Sequence, residues 1–483
     1  MLFNSLSIIF SIINLYLFYN STDENYASLY IPIICIFFML CALFIKCGIS
    51  EEKDVYTFWI RPTYVLLTGL VIVNLQTIIN VLLGIGTISD YLNKSEYNDV
   101  FGKCLFLGIL SIMGFVIGNY NTHRPLKLGE DNNSAKNTIN LWSVFIVIMF
   151  ALFVVNIDIA SFINGSSYIG SGAYDRTFDS SARYEQLLGI GFMIVLSLHC
   201  KNTINQNPDI SLIRYITKLP VLFIITFTIY IFLRLLSGDR GPVIHNMFAL
   251  VISYYLATHK KIKLVFVVIA LIGVSFFITI LGTARSIAAD MESFSDRFVV
   301  ALDLSQDTQD SIMPSTQELA NSVNCNFIAV SDIDKGKTDF KYGAYNIFIL
   351  ATTIPGSLFI VDKLGINARE FMSSEYLTTS FFGDFYPFGL GTTAVAEAYL
   401  DFGAIGTFIL FLLFGILFKK IDLCFISYKN ISIISILFII RVASMAISVP
   451  RSSFATMLSR TIYTIIIFVV INAIFSIFSS KKI

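Results

Sequence analysis

Residues 61–86 read RPTYVLLTGLVIVNLQTIINVLLGIG, with one charge at the first position and none in the twenty-five that follow. As a helix this run would extend about 37 Å, more than the ~30 Å hydrocarbon core of a bilayer. Comparable apolar runs recur along almost the whole chain. Of 483 residues, 55% are apolar and only 14% are Asp, Glu, Lys or Arg. A soluble domain carries about 25% charged residues to cover its surface. The chain is therefore an all-α polytopic membrane protein by composition alone.

Twelve spanning helices are predicted, near 2–19, 27–46, 62–86, 101–119, 140–160, 185–200, 219–236, 242–257, 264–284, 398–418, 431–449 and 461–478. Lys and Arg in short loops mark the cytoplasmic side. Lys46 to Arg61, Arg124 to Lys136, Lys201 to Lys218, HKKIK at 259–263, Lys419 to Lys429 and Lys481-Lys482 form the basic set. Placing that set inside puts both termini in the cytoplasm. The start, MLFNSLSIIF, lacks a basic n-region and an A-x-A site, so it reads as a retained first helix.

Three regions follow: an N-terminal bundle of about nine helices (1–285), a long outer segment (286–397) and about three C-terminal helices (398–483). Within the outer segment, NIFILATTIPGSLFIVDKLG (346–365) is apolar but broken by Pro355 and Gly356. A crossing there would invert everything after it, so a re-entrant or surface-lying segment is expected.

A net charge of zero argues against nucleic acid as a partner. The seven cysteines form no CxxC pairing with histidine, so no metal site is expected. Cys325 stands alone in a polar stretch.

The informative charges are those outside or at membrane depth. Arg176 and Arg183 (AYDRTFDSSARYE), Arg240 (SGDRGP), Arg285 (GTARS), Arg297, Arg369 (NAREF) and Arg451 (SVPRSS) all fall on the outer side. Guanidinium is a fixed fork of donors that matches phosphate oxygens. The competing reading pairs each arginine with an acid such as Asp175, Asp179 or Asp239, or with lipid headgroups. Arg240 is pinned between two spans, in a turn that Gly238 and Gly241 permit. His245 follows about one and a half helical turns later, as a phosphate donor, a proton carrier or a packing group. Arg441 (FIIRVASMAIS) lies mid-span, where a charge costs at least ~2.5 kcal/mol, so it must line a wet cavity or bridge helices. Arg234 raises the same question one turn inside its span. Among acids, Asp384 reaches the outer surface, and Glu397 and Asp401 share one helical face.

The chain resembles the Wzy-type O-antigen polymerases, within the wider group of oligosaccharide repeat-unit polymerases. The residues that carry the resemblance are the SGDRGP turn at 237–242, similar to a G-x-R-G turn of that family, and GLGTTAVAEAYLDFGAIG at 389–406. A layout of some twelve helices with one large late outer loop adds to them. The resemblance implies a membrane-embedded glycosyltransferase of the C type, independent of metals and cofactors, in the bacterial inner membrane. Its substrates would be undecaprenyl-pyrophosphate-linked oligosaccharides, one as donor and one as acceptor. Membrane lipids and a chain-length regulator would be its other partners.

By position, the phosphate-binding role then falls on Arg176, Arg240 and Arg285, with Arg183, Arg369 and Arg451 beside them. Glu397, Asp384 or His245 would handle the acceptor hydroxyl's proton, and Arg441 would line the cavity. Two other readings stay open: an O-antigen ligase, and a polysaccharide flippase or transporter without catalysis.

Overall fold

The structure is a computed structural model. It describes residues 2–21, 23–51, 61–87, 95–126, 138–157, 180–206, 208–237, 240–260, 314–354, 357–365, 367–383, 389–426 and 431–480. Every element among the described residues is helical. Eleven of the twelve predicted spans meet a helix, and the twelfth, 264–284, lies outside the described residues. Seven of these helices are long and apolar enough to cross a membrane, and Ile139–Val155, Val221–Leu235 and Ile433–Met445 are shorter apolar helices.

The opening run forms the helix Pro62–Leu82, with proline at its first turn where a missing N–H costs nothing. Its end is a Schellman motif. Gly84, at φ 79°, donates its N–H to the Val81 carbonyl, and the Ile85 N–H reaches the Asn80 carbonyl.

The chain divides into two compact units. One comprises 1–125, 309–423 and 446–459, and the other comprises 126–308, 424–445 and 460–483.

In the first unit Phe101–Tyr120 is the central helix, buried along nearly all its length and packed by Leu2–Asn20, Asp23–Glu51 and Pro62–Leu82. Gly114 and Gly118 on this helix and Gly415 on Ala394–Ile426 let two backbones touch. A Cβ at Gly118 would collide with the Leu412 carbonyl, and one at Gly415 with the Phe115 carbonyl. Asn119 locks the crossing, since its Nδ2 donates to the Thr63 hydroxyl (2.9 Å) and the Gly415 carbonyl (3.3 Å). Small residues at such spacing are how membrane helices gain van der Waals contact without a hydrophobic drive. Gly118→Val should therefore destabilise by about 3 kcal/mol, because rigid backbone cannot give way. Size-exclusion and thermal melting of the purified variant in detergent measure it, and a wild-type profile would refute the close crossing.

The segment 346–365 forms two short helices, Ala344–Ala351 and Ser357–Lys363. At about 12 Å or less each, neither can cross a bilayer. Ile347, Leu350, Ile354, Ile360 and Leu364 are exposed along them.

In the second unit Arg240–Thr258 packs on Ser180–Gln206 and Ile433–Met445, which also pack on each other. Val221–Leu236 lies against Ile139–Val155 and Arg240–Thr258. Aromatic rings fill the gaps: Phe192 meets Phe223, Phe227 and Tyr230 edge-on or tilted at 5.2–5.6 Å.

Candidate functional site

Ala394–Ile426 is interrupted at Gly403, whose φ of 67° and ψ of −172° are non-helical. The stretch beyond Gly403, about 34 Å long, suffices to cross a membrane by itself. Glu397 and Asp401 therefore lie on a preliminary piece of helix, enclosed by protein. Thr393 caps that piece by accepting from the Ala396 N–H (2.9 Å), and it donates to Asn326, which bonds Asn74.

The two acids do different work. Asp401 accepts from the backbone N–H groups of Tyr345 (3.2 Å) and Asn346 (3.0 Å), and from the Asn346 amide (2.6 Å). It thus caps Ala344–Ala351, whose own N-cap, Gly343, has no side chain to offer. Glu397 is 2% exposed and accepts two hydroxyl hydrogen bonds, from Ser373 to Oε2 (2.6 Å) and from Ser453 to Oε1 (2.5 Å). No arginine or lysine among the described residues pairs with it. Ser453 in turn accepts from the Thr456 N–H at the start of Phe454–Ser480.

A third acid in this unit, Asp332, is fully buried and accepts from the Tyr376 hydroxyl (3.0 Å) and the Ser380 hydroxyl, with Lys337 at 3.2 Å. Burial and Asp332 raise the Tyr376 phenol above its ordinary value. These contacts fasten Ser373–Phe382 to Asn324–Asp334. Cys325 sits on the latter helix with its thiol pushed up to about 12 by burial, against a partial pull from Arg451. It is a packing residue, since the thiolate is the nucleophile.

The second unit gathers charges from five helices. Glu185 on Ser180–Gln206 is gripped by Arg234 of Val221–Leu236, with Nε to Oε1 at 2.6 Å and Nη2 on Oε2. The Tyr230 hydroxyl also donates to Oε1 (2.6 Å), and the Arg234 guanidinium lies 5.6 Å from the centre of the Phe153 ring. Arg234 is thus answered within its unit. Arg441 and Arg460 interact electrostatically with each other and with His245, and Arg460 also with Glu185. The Arg441 Nε is enclosed and has no hydrogen-bond partner.

Among the predicted site residues, then, the structure brings His245 and Arg441 together in one unit and buries Glu397 in the other. Arg183, Arg369 and Arg451 are exposed. Arg240 is the first residue of Arg240–Thr258, two residues ahead of the predicted span, and its side chain lies outside the described set. Arg176, Arg285 and Asp384 lie outside the described residues. Sequence reasoning missed Arg460, Glu185, Ser373 and Ser453.

A family model described as O-antigen polysaccharide polymerase Wzy matches residues 1–482. The chain belongs to that family. No curated protein and no solved structure matches it. Membership in the Wzy family makes the chain a polysaccharide polymerase of glycosyltransferase type, with lipid-linked oligosaccharides as its substrate class. Its apolar helices fit a multi-pass protein of the bacterial inner membrane.

Proposed function

We propose that this chain polymerises undecaprenyl-pyrophosphate-linked O-antigen repeat units at the outer face of the inner membrane. The growing glycan passes from its carrier to the terminal sugar of a new lipid-linked unit. Both termini lie in the cytoplasm, residues 286–397 face the periplasm, and no metal takes part. The acceptor sugar's hydroxyl oxygen attacks the donor's anomeric carbon, and the bond from that carbon to the diphosphate oxygen breaks. The electron pair leaves on the diphosphate, and the hydroxyl proton passes to Glu397, with Asp384 as the alternative acceptor.

The observation behind this reading is the environment of Glu397, whose two oxygens are held by serine hydroxyls and by no cation among the described residues. A carboxylate paired with a guanidinium is stabilised in its charged form and resists taking a proton. Two neutral donors orient the group and leave it able to accept one. Arg176, Arg240 and Arg285, with Arg183, Arg369 and Arg451, attract the phosphate-bearing substrates, and a chain-length regulator acts on the product. Diphosphate is already a good leaving group, so electrostatic stabilisation outweighs acid catalysis.

Deleting the gene tests the choice between readings. The polymerase reading predicts surface lipopolysaccharide capped by a single repeat unit. Cores bearing no repeat unit would contradict it and favour a ligase or a transporter.

A further inference from the structure

We propose that Ala344–Ala351 lies in the outer leaflet with an apolar stripe against lipid acyl chains, and that Asp401 fastens it there. Such a seat needs only a chain that spans the bilayer, and the topology proposed above puts it in the outer leaflet.

Ile347, Leu350, Ala351 and Ile354 fall at i, i+3, i+4 and i+7, one face of the helix and of the turn that ends it, and all four are exposed. The opposite side is taken up by protein. Tyr345 and Thr353 are buried, and the Phe348 ring stacks on Phe371 at 5.2 Å. Left in water, the exposed stripe would forfeit the burial that keeps a short amphipathic helix in place.

The stripe adjoins a second one. Phe402, Ile405, Ile409 and Leu413, three or four residues apart, are exposed along one side of Ala394–Ile426, as on the lipid face of a spanning helix. Ile347 and Ile354 are 65% exposed, as open as Ile405, Ile409 and Leu413 at 51–55%. A Cβ built on Gly343 would lie 2.9 Å from the Phe402 ring and 3.5 Å from the Ile347 side chain, so the two stripes meet there. One apolar surface thus runs from the spanning helix onto the short one. Gly403 is sixteen residues from Lys419, about 24 Å along the helix. With Lys419 at the cytoplasmic edge of a ~30 Å core, the junction falls about 6 Å below the outer edge, within the ~5–10 Å at which interfacial helices lie.

The short helix is fastened at that level. The Lys341 N–H donates to the Leu400 carbonyl (2.8 Å), and the Thr353 hydroxyl donates to Ser459 of Phe454–Ser480 (2.8 Å). Asp401 accepts from the Tyr345 and Asn346 N–H groups and from the Asn346 amide. Asp401 is one turn from Glu397 on the same piece of helix, so the level of the lipid-seated helix sets that of Glu397.

The test places a tryptophan at residue 347, 350 or 409 of the full chain in phosphatidylcholine vesicles and reads quenching by brominated phosphatidylcholine and by aqueous iodide. Wild type, with two native tryptophans, gives the background. Brominated lipid should quench Ile347→Trp and Leu350→Trp within about twofold of Ile409→Trp, and iodide should spare all three. Bromines near the headgroup should act more strongly at 347 and 350, and bromines near the chain end at 409. Iodide quenching without lipid quenching would place the stripe in water. Protection from both would place it against protein, a second copy of this chain included. Either result overturns the seat. Adding Asp401→Ala to Ile347→Trp removes the cap of the turn that carries residue 347 and should cut lipid quenching by about half or more. Unchanged quenching would overturn the role of Asp401. If that variant does not purify as a single species, Asp401→Asn, which gives up one acceptor oxygen, is judged by the same shift. Vesicles that show the lipid quenching yet extend no glycan would contradict the polymerase reading and leave the seat standing.

Discussion

Replacing Glu397 by glutamine should cut the rate of chain extension by about 10²-fold or more while leaving the fold intact. Glutamine has the same shape and keeps two polar atoms where Ser373 and Ser453 now donate. The serine hydroxyls can rotate, so one can accept from the new amide instead of donating. What glutamine cannot do is take the acceptor's proton. Surface polysaccharide should then shift from long polymer to single repeat units at equal protein level. Ser373→Ala and Ser453→Ala, which loosen the carboxylate without removing it, should cost less. An extension rate for Glu397→Gln within a few-fold of wild type would make Glu397 a structural tie between these serines.

Asp422→Ala should produce the largest loss of stability, about 3–5 kcal/mol, because it strands a buried cation. Arg61 is 2% exposed and Asp422 is 3% exposed, and the two interact electrostatically, with Lys419 adding a second cation to the same acid. Asp422 also accepts from the Thr63 N–H at the start of Pro62–Leu82, at the long distance of 3.5 Å. Desolvating an ion pair is costly, and removing one member leaves that cost uncompensated. Converting both residues to apolar ones, as in Arg61→Met with Asp422→Leu, should recover most of the loss. Thermal melting in detergent reads both results. An Asp422→Ala protein that melts with wild type would show that the pair adds nothing.

Among the described residues the long apolar helices were legible because length and hydropathy suffice to identify them. Leu2–Asn20 and Phe101–Tyr120 differ from their predicted bounds by a residue. Errors arose where polar residues were read as marking the membrane surface. Glu397 and Asp401 read as surface acids at the start of a span near 398, yet Ser373, Ser453 and Asn346 hold both inside the protein, on the piece of helix that precedes Gly403.

The same habit hid Arg460. A span drawn from 461 leaves that arginine at its edge, where a charge needs no explanation. The helix begins at Phe454, nearly two turns earlier, and carries Arg460 inside. The signal was present in Ser453, a residue type favoured at an N-cap, which does accept from the Thr456 N–H. Glu185 was hidden similarly at the predicted start of its span. Its pairing with Arg234 depends on how two helices pack, which periodicity does not encode. Arg441 was legible because a lone guanidinium in mid-span demands an answer. Its neighbour was not, because that neighbour comes from another helix.

The most direct measurement is chain extension by the purified protein in liposomes supplied only with lipid-linked repeat units. The account predicts a ladder of lengthening glycans still attached to the carrier, formed without any other protein. Single repeat units that persist unchanged, with a folded enzyme present, would contradict it.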